Sequence, residues 1–508
     1  MNSRAKRRHK LPVTCPSPTK PCVRRSTRRI GSTTGFKVRP RLAGCSRVKS
    51  ESPTELVLAP HTRRSYTKKI VKVTTTQATR RTFLKCILAT GAAPWFVPAR
   101  VLGAEAPSSK ITLGVIGVGS QGQADLREFL RHEDVRVTAI CDVNKRNVES
   151  ARRLVSERYG SADVRVFSDF RELNALSSLD AVLMALPVHW HSVPALDAIL
   201  HGKHIYHEKP MALSFEEARR VRVAVRKKGV VFQFGTQQRS DAKFRWACEL
   251  ALNGRLGKLR EIQVSAPGGR QGPVFPEQPA PDYLDWNRWV GPAPQTSFHE
   301  EKLKRDNHEN MTQFSLGMIS CWGIHHLDIA QWGNGTDGTG PRTVQGKGDF
   351  PKSGSLDAIL RWKVRFEFAN ATPITFVSDG MQGFEHGIRF VGDSGWVHVR
   401  RGSIYTVDDK DQLLRDPQNE VGRMPLKLPV SRDHTRNFVD AIKSRTRAIC
   451  DIDTAVRSDT LCQLALIAVK QDRKLEWDAN TERFVNDEAA TRMLQPRTFR
   501  GEWKLPEV

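Results

Sequence analysis

The run GVGSQG places Gly117, Gly119 and Gly122 in GxGxxG spacing directly after the apolar, β-branched stretch ITLGVI. A helical pattern follows through Leu126, Phe129 and Leu130. Strand, glycine turn and helix in that order suit a dinucleotide. Gly117 allows the tight turn, Gly119 lets the backbone approach a pyrophosphate, and Gly122 lets helix and strand pack closely. The backbone at Ser120 and Gln121 then opens the helix toward the phosphates. The next stretch, VRVTAICD, ends in Asp142, about 20 residues on, where a carboxylate can accept both ribose hydroxyls. These features predict NAD as cofactor; Lys145 and Arg146, close by, leave NADP open.

Further units of the same kind must position this turn. LDAVLMALP reads as a buried strand ending at Pro187, SVPALDAILHGK as a helix, and HIYHEKP as the next strand running into a loop. SFEEARRVRVAVRKKG is an amphipathic helix with a capping box, Ser214 and Glu217, at its start, and VVFQFGTQQRS brings another strand. Strands alternating with helices predict an α/β fold with a parallel, doubly wound sheet. After Arg239 the rhythm stops. A helix, turn and strand occupy 243–269, and 268–310 reads as a long loop of the kind that carries function. Its Trp286 and Trp289 either stack on a sugar face or pack inside the loop. A hairpin turning near Asn370, two more strands around GDSG, and helices RNFVDAIKS and SDTLCQLALIAVKQ complete the chain.

The chain carries 81 Lys+Arg against 54 Asp+Glu, a net charge of +27. Roughly 20 of the cations lie in residues 1–78, against Glu51 and Glu55 alone, a composition that cannot bury a core. That segment is read as a disordered basic extension, or as an overrun upstream of a later start at Val71 or Val73, and not as a nucleic-acid arm. Residues 79–106 read as an export signal: Arg80-Arg81, Phe83-Leu84-Lys85, a short apolar run broken by Pro94 and Pro98, then Ala104-Glu105-Ala106. The run is too short for a stable membrane span. Twin arginines in this setting resemble a Tat signal, which predicts folding in the cytoplasm, passage through the Tat machinery and a periplasmic location. The remaining chain divides into a nucleotide-binding domain, 107–235, and a second domain, 236–508, for substrate and oligomerisation. Its cysteines, Cys141, Cys248, Cys321, Cys450 and Cys462, form no CxxC or Cys/His cluster, so neither a metal site nor a disulfide framework is predicted.

The order of GVGSQG, ALPVHWH, HGKHIYHEKP, GTQQRS and GIHHLD resembles the glucose-fructose oxidoreductase / inositol dehydrogenase (Gfo/Idh/MocA) family, most of all its exported, Tat-signalled branch. The resemblance implies a Rossmann domain followed by an α/β domain with a large, mostly antiparallel sheet, the active site lying between them over the nicotinamide. It implies that Lys209 is the catalytic lysine, with Glu208 structural or cofactor-facing, and that His325 takes the hydroxyl proton. Asp328, three residues on, shares a helical face with His325 and is expected in the substrate site; His326 points elsewhere. His191 is expected near the nicotinamide ribose, Trp190 against the ring or substrate, and Gln237, Gln238 and Arg239 on sugar hydroxyls. One departure stands out. Cys321 occupies the place where the family usually has an aspartate four residues before the histidine, which weakens the case for an oriented imidazole.

Together these readings predict an NAD(P)-dependent oxidoreductase acting on a sugar, polyol or related carbinol, working as a homo-oligomer, dimer or tetramer. Export of a folded protein predicts a tightly held cofactor that is recycled within each turnover. Two alternatives stay open: an NAD-dependent glycosidase or epimerase using transient oxidation, and a carbohydrate-binding relative without chemistry.

Overall fold

The computed structural model describes residues 110–161, 163–369, 371–379, 383, 386–406 and 424–508. The basic extension 1–78, the export signal 79–106 and the turn residue Asn370 lie outside the described residues.

Six short apolar stretches form the first sheet: β1 (Ile111–Ile116), β2 (Val135–Cys141), β3 (Arg165–Phe167), β4 (Ala181–Met184), β5 (His204–His207) and β6 (Phe232–Phe234). Their order is β3-β2-β1-β4-β5-β6, and every pairing is parallel. β4 is buried at all four positions, as a strand covered by helices on both faces must be. The strand order reverses between β1 and β4, and the carboxyl ends there open into a crevice. Half of the capping box forms: the Glu217 N–H donates to Ser214 Oγ at 3.3 Å, while the Glu217 carboxylate accepts hydroxyl bonds from Ser214 at 3.1 Å and Ser192 at 2.6 Å.

The second sheet holds nine strands: β7 (Leu259–Ala266), β8 (Thr343–Asp349), β9 (Arg361–Glu367), β10 (Ile374–Ser378), β11 (Gly387–Gly392), β12 (Trp396–Arg400), β13 (Ser403–Thr406), β14 (Leu475–Asp478) and β15 (Arg483–Phe484). Their order is β13-β12-β11-β7-β10-β9-β8-β14-β15, antiparallel except for β10 against β7. β9 alternates Trp362, Val364 and Phe366 inward with Arg361, Lys363 and Arg365 outward, the pattern of a sheet with one covered face. Helices Ala242–Leu252, Gly323–Asn334 and Ile452–Gln471 cover the apolar side.

All strands of the second sheet come from beyond residue 236, yet the chain does not stay there. The helix His434–Ser444 returns to the first sheet, where Phe438, Val439 and Ile442 join Leu113, Phe129 and Tyr206 in one core. Burying each of these large side chains stabilises by about 1.5–3 kcal/mol, so the two sheets belong to one compact unit.

Candidate active site

The glycine turn after β1 is built as its spacing implies. Gly117 has φ +83°, and a Cβ on Gly122 would overlap the Gly117 carbonyl oxygen. At Gly119 a Cβ would meet nothing within 4 Å, because that side faces the crevice. The helix Ser120–Leu130 begins at Gly119 with no side chain capping it, leaving the first N–H groups pointing into open space. Open cradle and uncapped N-terminus together fit a pyrophosphate. Asp142, at the end of β2, accepts N–H bonds from Val118 and Asn144 at 2.8 Å each, which ties the carboxylate to the glycine turn and leaves it on the crevice wall. Burial raises its pKa while those bonds lower it, and burial prevails. The two cations that left NADP open are engaged elsewhere. Lys145 donates to the Asp282 carbonyl at 3.3 Å, and the Arg146 guanidinium lies 3.7 Å from the Tyr283 ring centre. These residues would hold NAD.

Two cavities meet at the carboxyl end of β5. One, about 490 Å³, runs from the glycine turn past Pro187 to Lys209. The other, about 720 Å³, runs from Lys209 to His325 and Gln238. Glu208 and Lys209 line both, together with Gln121, Arg305 and Glu309. Lys209 stands two residues past the end of β5, precedes a cis peptide to Pro210, and is 7% exposed. Its ammonium donates to the Cys321 carbonyl at 3.1 Å and stands 3.7 Å from the Glu309 carboxylate. Glu208 accepts from the Gln237 amide at 2.7 Å and packs its carboxyl group against Gly235, where any Cβ would strike it. Burial raises Glu208, and burial followed by Glu208 itself raises Asp125 well above the usual carboxyl range.

His325 starts the helix Gly323–Asn334 and is 4% exposed, its Nδ1 buried without a partner. Burial, then the nearby Arg401 and Lys209, hold the imidazole well below its ordinary value, so it is neutral at pH 7 and able to accept a proton. Gln238 lies on the wall of the second cavity, its Oε1 buried and unpartnered. His326 is fully buried, stacked on His386 at 5.6 Å.

Three expectations fail, and Trp190 lies on one of the two cavities only. Arg239 and Asp328 do not reach the second cavity: Arg239 Nε donates to both Asp328 oxygens, at 2.9 and 3.0 Å, and its outer nitrogens reach Asp337 at 2.8 and 2.9 Å. With 3% and 0% of their side chains exposed, they form an internal ion pair, because a buried guanidinium demands carboxylates more strongly than a site demands a ligand. His191 lies behind the crevice, its ring nitrogens against the carbonyls of Leu186 and Pro210, so it joins the loops after β4 and β5 rather than meeting a ribose. Burial and the neighbouring His207 outweigh those carbonyls and lower it to about 3. Trp190 donates its indole N–H to the Trp289 carbonyl at 3.0 Å and packs edge-on against Trp503 and Phe170. It walls the first cavity and not the second. Trp286 likewise stacks on Trp289 at 4.8 Å, whereas Trp289 reaches the first cavity.

Cys321, at the place of the family's aspartate, does not act as a carboxylate would. Its thiol is fully buried, 3.1 Å from the Ser315 hydroxyl, and burial pushes it up to about 12. The contribution to the site is its backbone carbonyl, which orients Lys209. The carboxylate that the sequence reading missed here is Glu309, held with Arg305 at 2.9 Å in the long loop. Burial would raise Glu309, but Lys209 and Arg305 prevail and keep it ionised. Arg305 also donates to Gln121 at 3.1 Å, tying the loop to the glycine-turn helix. The only signal was the four-residue spacing of Arg305 and Glu309.

Residues 111–236 match a family described as oxidoreductase, NAD-binding Rossmann fold, and 269–505 match the C-terminal alpha/beta domain of the same family. The chain belongs to the Gfo/Idh/MocA oxidoreductase family. Within it, the oxidoreductase YrbE of Bacillus subtilis is 27% identical over 317 residues, 61% of this chain and 80% of that protein. A glycosyl hydrolase family 109 protein of Shewanella is 36% identical over 134 residues, 25% of this chain and only 29% of that protein's length. Among solved structures, the WlbA dehydrogenase of Bordetella pertussis, in complex with NADH and UDP-GlcNAcA, has 16% identity and a TM-score of 0.54, covering 73% of this chain and 99% of that one. That likeness is one of fold. Among the described residues no His/Cys/Asp/Glu cluster could hold a metal ion, and no helix is long and apolar enough to cross a membrane.

Proposed function

We propose that this Gfo/Idh/MocA chain oxidises a secondary carbinol of a sugar or polyol, using NAD held in the first cavity and substrate in the second. The observation that carries the reading is the convergence of Lys209 on both cavities, with neutral His325 on the far wall of the second. NAD, when bound, supplies the hydride acceptor. Lys209 donates a hydrogen bond to the carbinol oxygen and stabilises the negative charge that grows on it, while Glu309 and the Cys321 carbonyl hold the ammonium in place. His325 takes the hydroxyl proton; its depressed basicity costs driving force but keeps it unprotonated at the working pH.

The twin-arginine stretch and the deep cofactor crevice support a folded protein exported by the Tat route with NAD aboard, recycled by returning the hydride to the product or to a second carbonyl; the family resemblance adds assembly as a homo-oligomer. Native mass spectrometry of protein purified without added nucleotide tests this: one NAD per chain, released on denaturation, is expected in an assembly larger than one chain. An empty protein overturns the recycled-cofactor reading. Sugar-dependent turnover must vanish in Lys209→Ala and His325→Asn while NAD remains bound, and blocking Tat export must leave the chain in the cytoplasm.

A second reading is favoured by one feature, the Asp125 and Glu208 carboxyls raised by burial beside Lys209, since a carboxyl that keeps its proton can protonate a leaving oxygen. Together with the likeness to glycosyl hydrolase family 109, this supports an NAD-dependent glycosidase. Release of nitrophenol from nitrophenyl glycosides without net NADH would select it over a dehydrogenase.

A further inference from the structure

The wall of the second cavity carries three cations among six carboxylates, Asp125, Glu128, Glu208, Asp241, Asp306 and Glu309, and two of the cations are already committed. Lys209 is held by the Cys321 carbonyl and Glu309, and Arg305 by Glu309 and Gln121. Arg401 is different. It sits in the tight turn between β12 and β13, at the solvent-accessible mouth of that cavity, with its guanidinium 4.8 Å from the centre of the Trp322 ring. Among the described residues no carboxylate stands within ion-pairing distance of it. The aromatic face supports the flat cation from one side, as such rings do, and fixes its fork of N–H donors near His325, whose ring stands 5.7 Å from the same tryptophan.

Resting on the oxidoreductase reading of this cavity, we infer that Arg401 is an anion subsite and that the substrate is a carboxylated sugar, a hexuronate or hexonate, whose carboxylate pairs with this guanidinium while the reacting carbinol meets Lys209 and His325. A planar guanidinium matches a carboxylate with two parallel hydrogen bonds, which gives orientation as well as attraction. The cavity of about 720 Å³ has room for a sugar spanning from its mouth to Lys209. The unpaired Gln238 Oε1 on the same wall then accepts from a hydroxyl between the two ends. The site also explains part of a cost. Burial first and the Arg401 guanidinium second depress His325, and a carboxylate bound at Arg401, closer than Glu208 and Asp241 come, relieves the second part.

The test uses NAD-loaded full-length protein, a panel of hexuronates and hexonates, and their neutral parent sugars, read both by calorimetric binding and by turnover. Carboxylated sugars are expected to bind and to be preferred, and Arg401→Gln should cut the acid-to-neutral ratio of kcat/KM by about 10- to 100-fold, mostly through KM. Arg401→Lys should restore part of the binding but not the full ratio. Thermal melting identical to the parent's is expected for both variants, since the side chain stands at a turn. If acids bind the parent protein and not Arg401→Gln while no turnover is seen, the subsite stands and the oxidoreductase reading falls. Equal preference for acids and neutral sugars, no binding of either, acid binding unchanged in Arg401→Gln, or preference for sulfated or phosphorylated sugars over carboxylated ones overturns the proposal.

Discussion

Replacing Asp328 by Ala separates a substrate role from a structural one. The Arg239 guanidinium is 3% exposed and Asp328 fully buried, and Asp328 Oδ1 also accepts from the Ser458 hydroxyl at 2.7 Å. The substitution leaves a buried cation with only Asp337, whose side chain is 34% exposed. Breaking one partner of such a pair costs about 3–5 kcal/mol, because the remaining charge loses its compensation and cannot regain water. Unfolding a cooperative unit of about 400 residues releases on the order of 0.8 kcal/mol per degree, so the melting temperature should fall by about 4–6 °C. Differential scanning calorimetry measures this directly. KM for sugar should stay within about threefold in molecules that remain folded, since the pair touches neither cavity. A variant that melts with the parent yet shows KM raised tenfold or more would refute the assignment and return Arg239 and Asp328 to the substrate site.

Gly119→Ala should fold and melt like the parent, because nothing lies within 4 Å of the new Cβ, yet lose NAD affinity at least tenfold by calorimetry; Gly122→Ala, which strikes the Gly117 carbonyl, should destabilise instead. The buried imidazoles make the fold acid-sensitive. His189 and His191 are lowered to about 3, and His207 and His434 to about 4, against about 6.5 when unfolded. Below pH 6.5 the unfolded chain gains protons that the folded one refuses, so stability present above 6.5 is lost as pH falls, by up to about 1.4 kcal/mol per unit for each imidazole; equal melting temperatures at pH 7 and pH 5 would contradict this. Cys321, buried and pushed up to about 12, should resist iodoacetamide in the native protein at pH 8, checked by peptide mass mapping, and react after denaturation.

Local pattern carried much of what the chain becomes. GxGxxG after a β-branched strand, an acid at the end of the next, and a capping box each depend on residues near one another in sequence. Strand, turn and helix follow from such neighbours, and so do the open face at Gly119 and the place of Asp142 on the crevice wall. Motif order also placed Lys209 and His325 together.

What the chain could not disclose locally is which polar groups would be consumed by one another. Arg239 and Asp328 look like site residues in a string, and become an ion pair only because helix Gly323–Asn334 packs against the segment after β6. His191 fails for the same reason, its two nitrogens claimed by carbonyls of loops that only the sheet brings together. Glu309 and Arg401 show the converse. Each sits in a loop or turn with no motif around it, and each enters the site because folding sets a remote segment beside Lys209 or His325. Spacing along the chain thus determined the cofactor cradle, since short-range geometry makes it, whereas the identity of the free charges in the substrate cavity was decided by tertiary packing, since a charge is free only when every nearby partner is already taken.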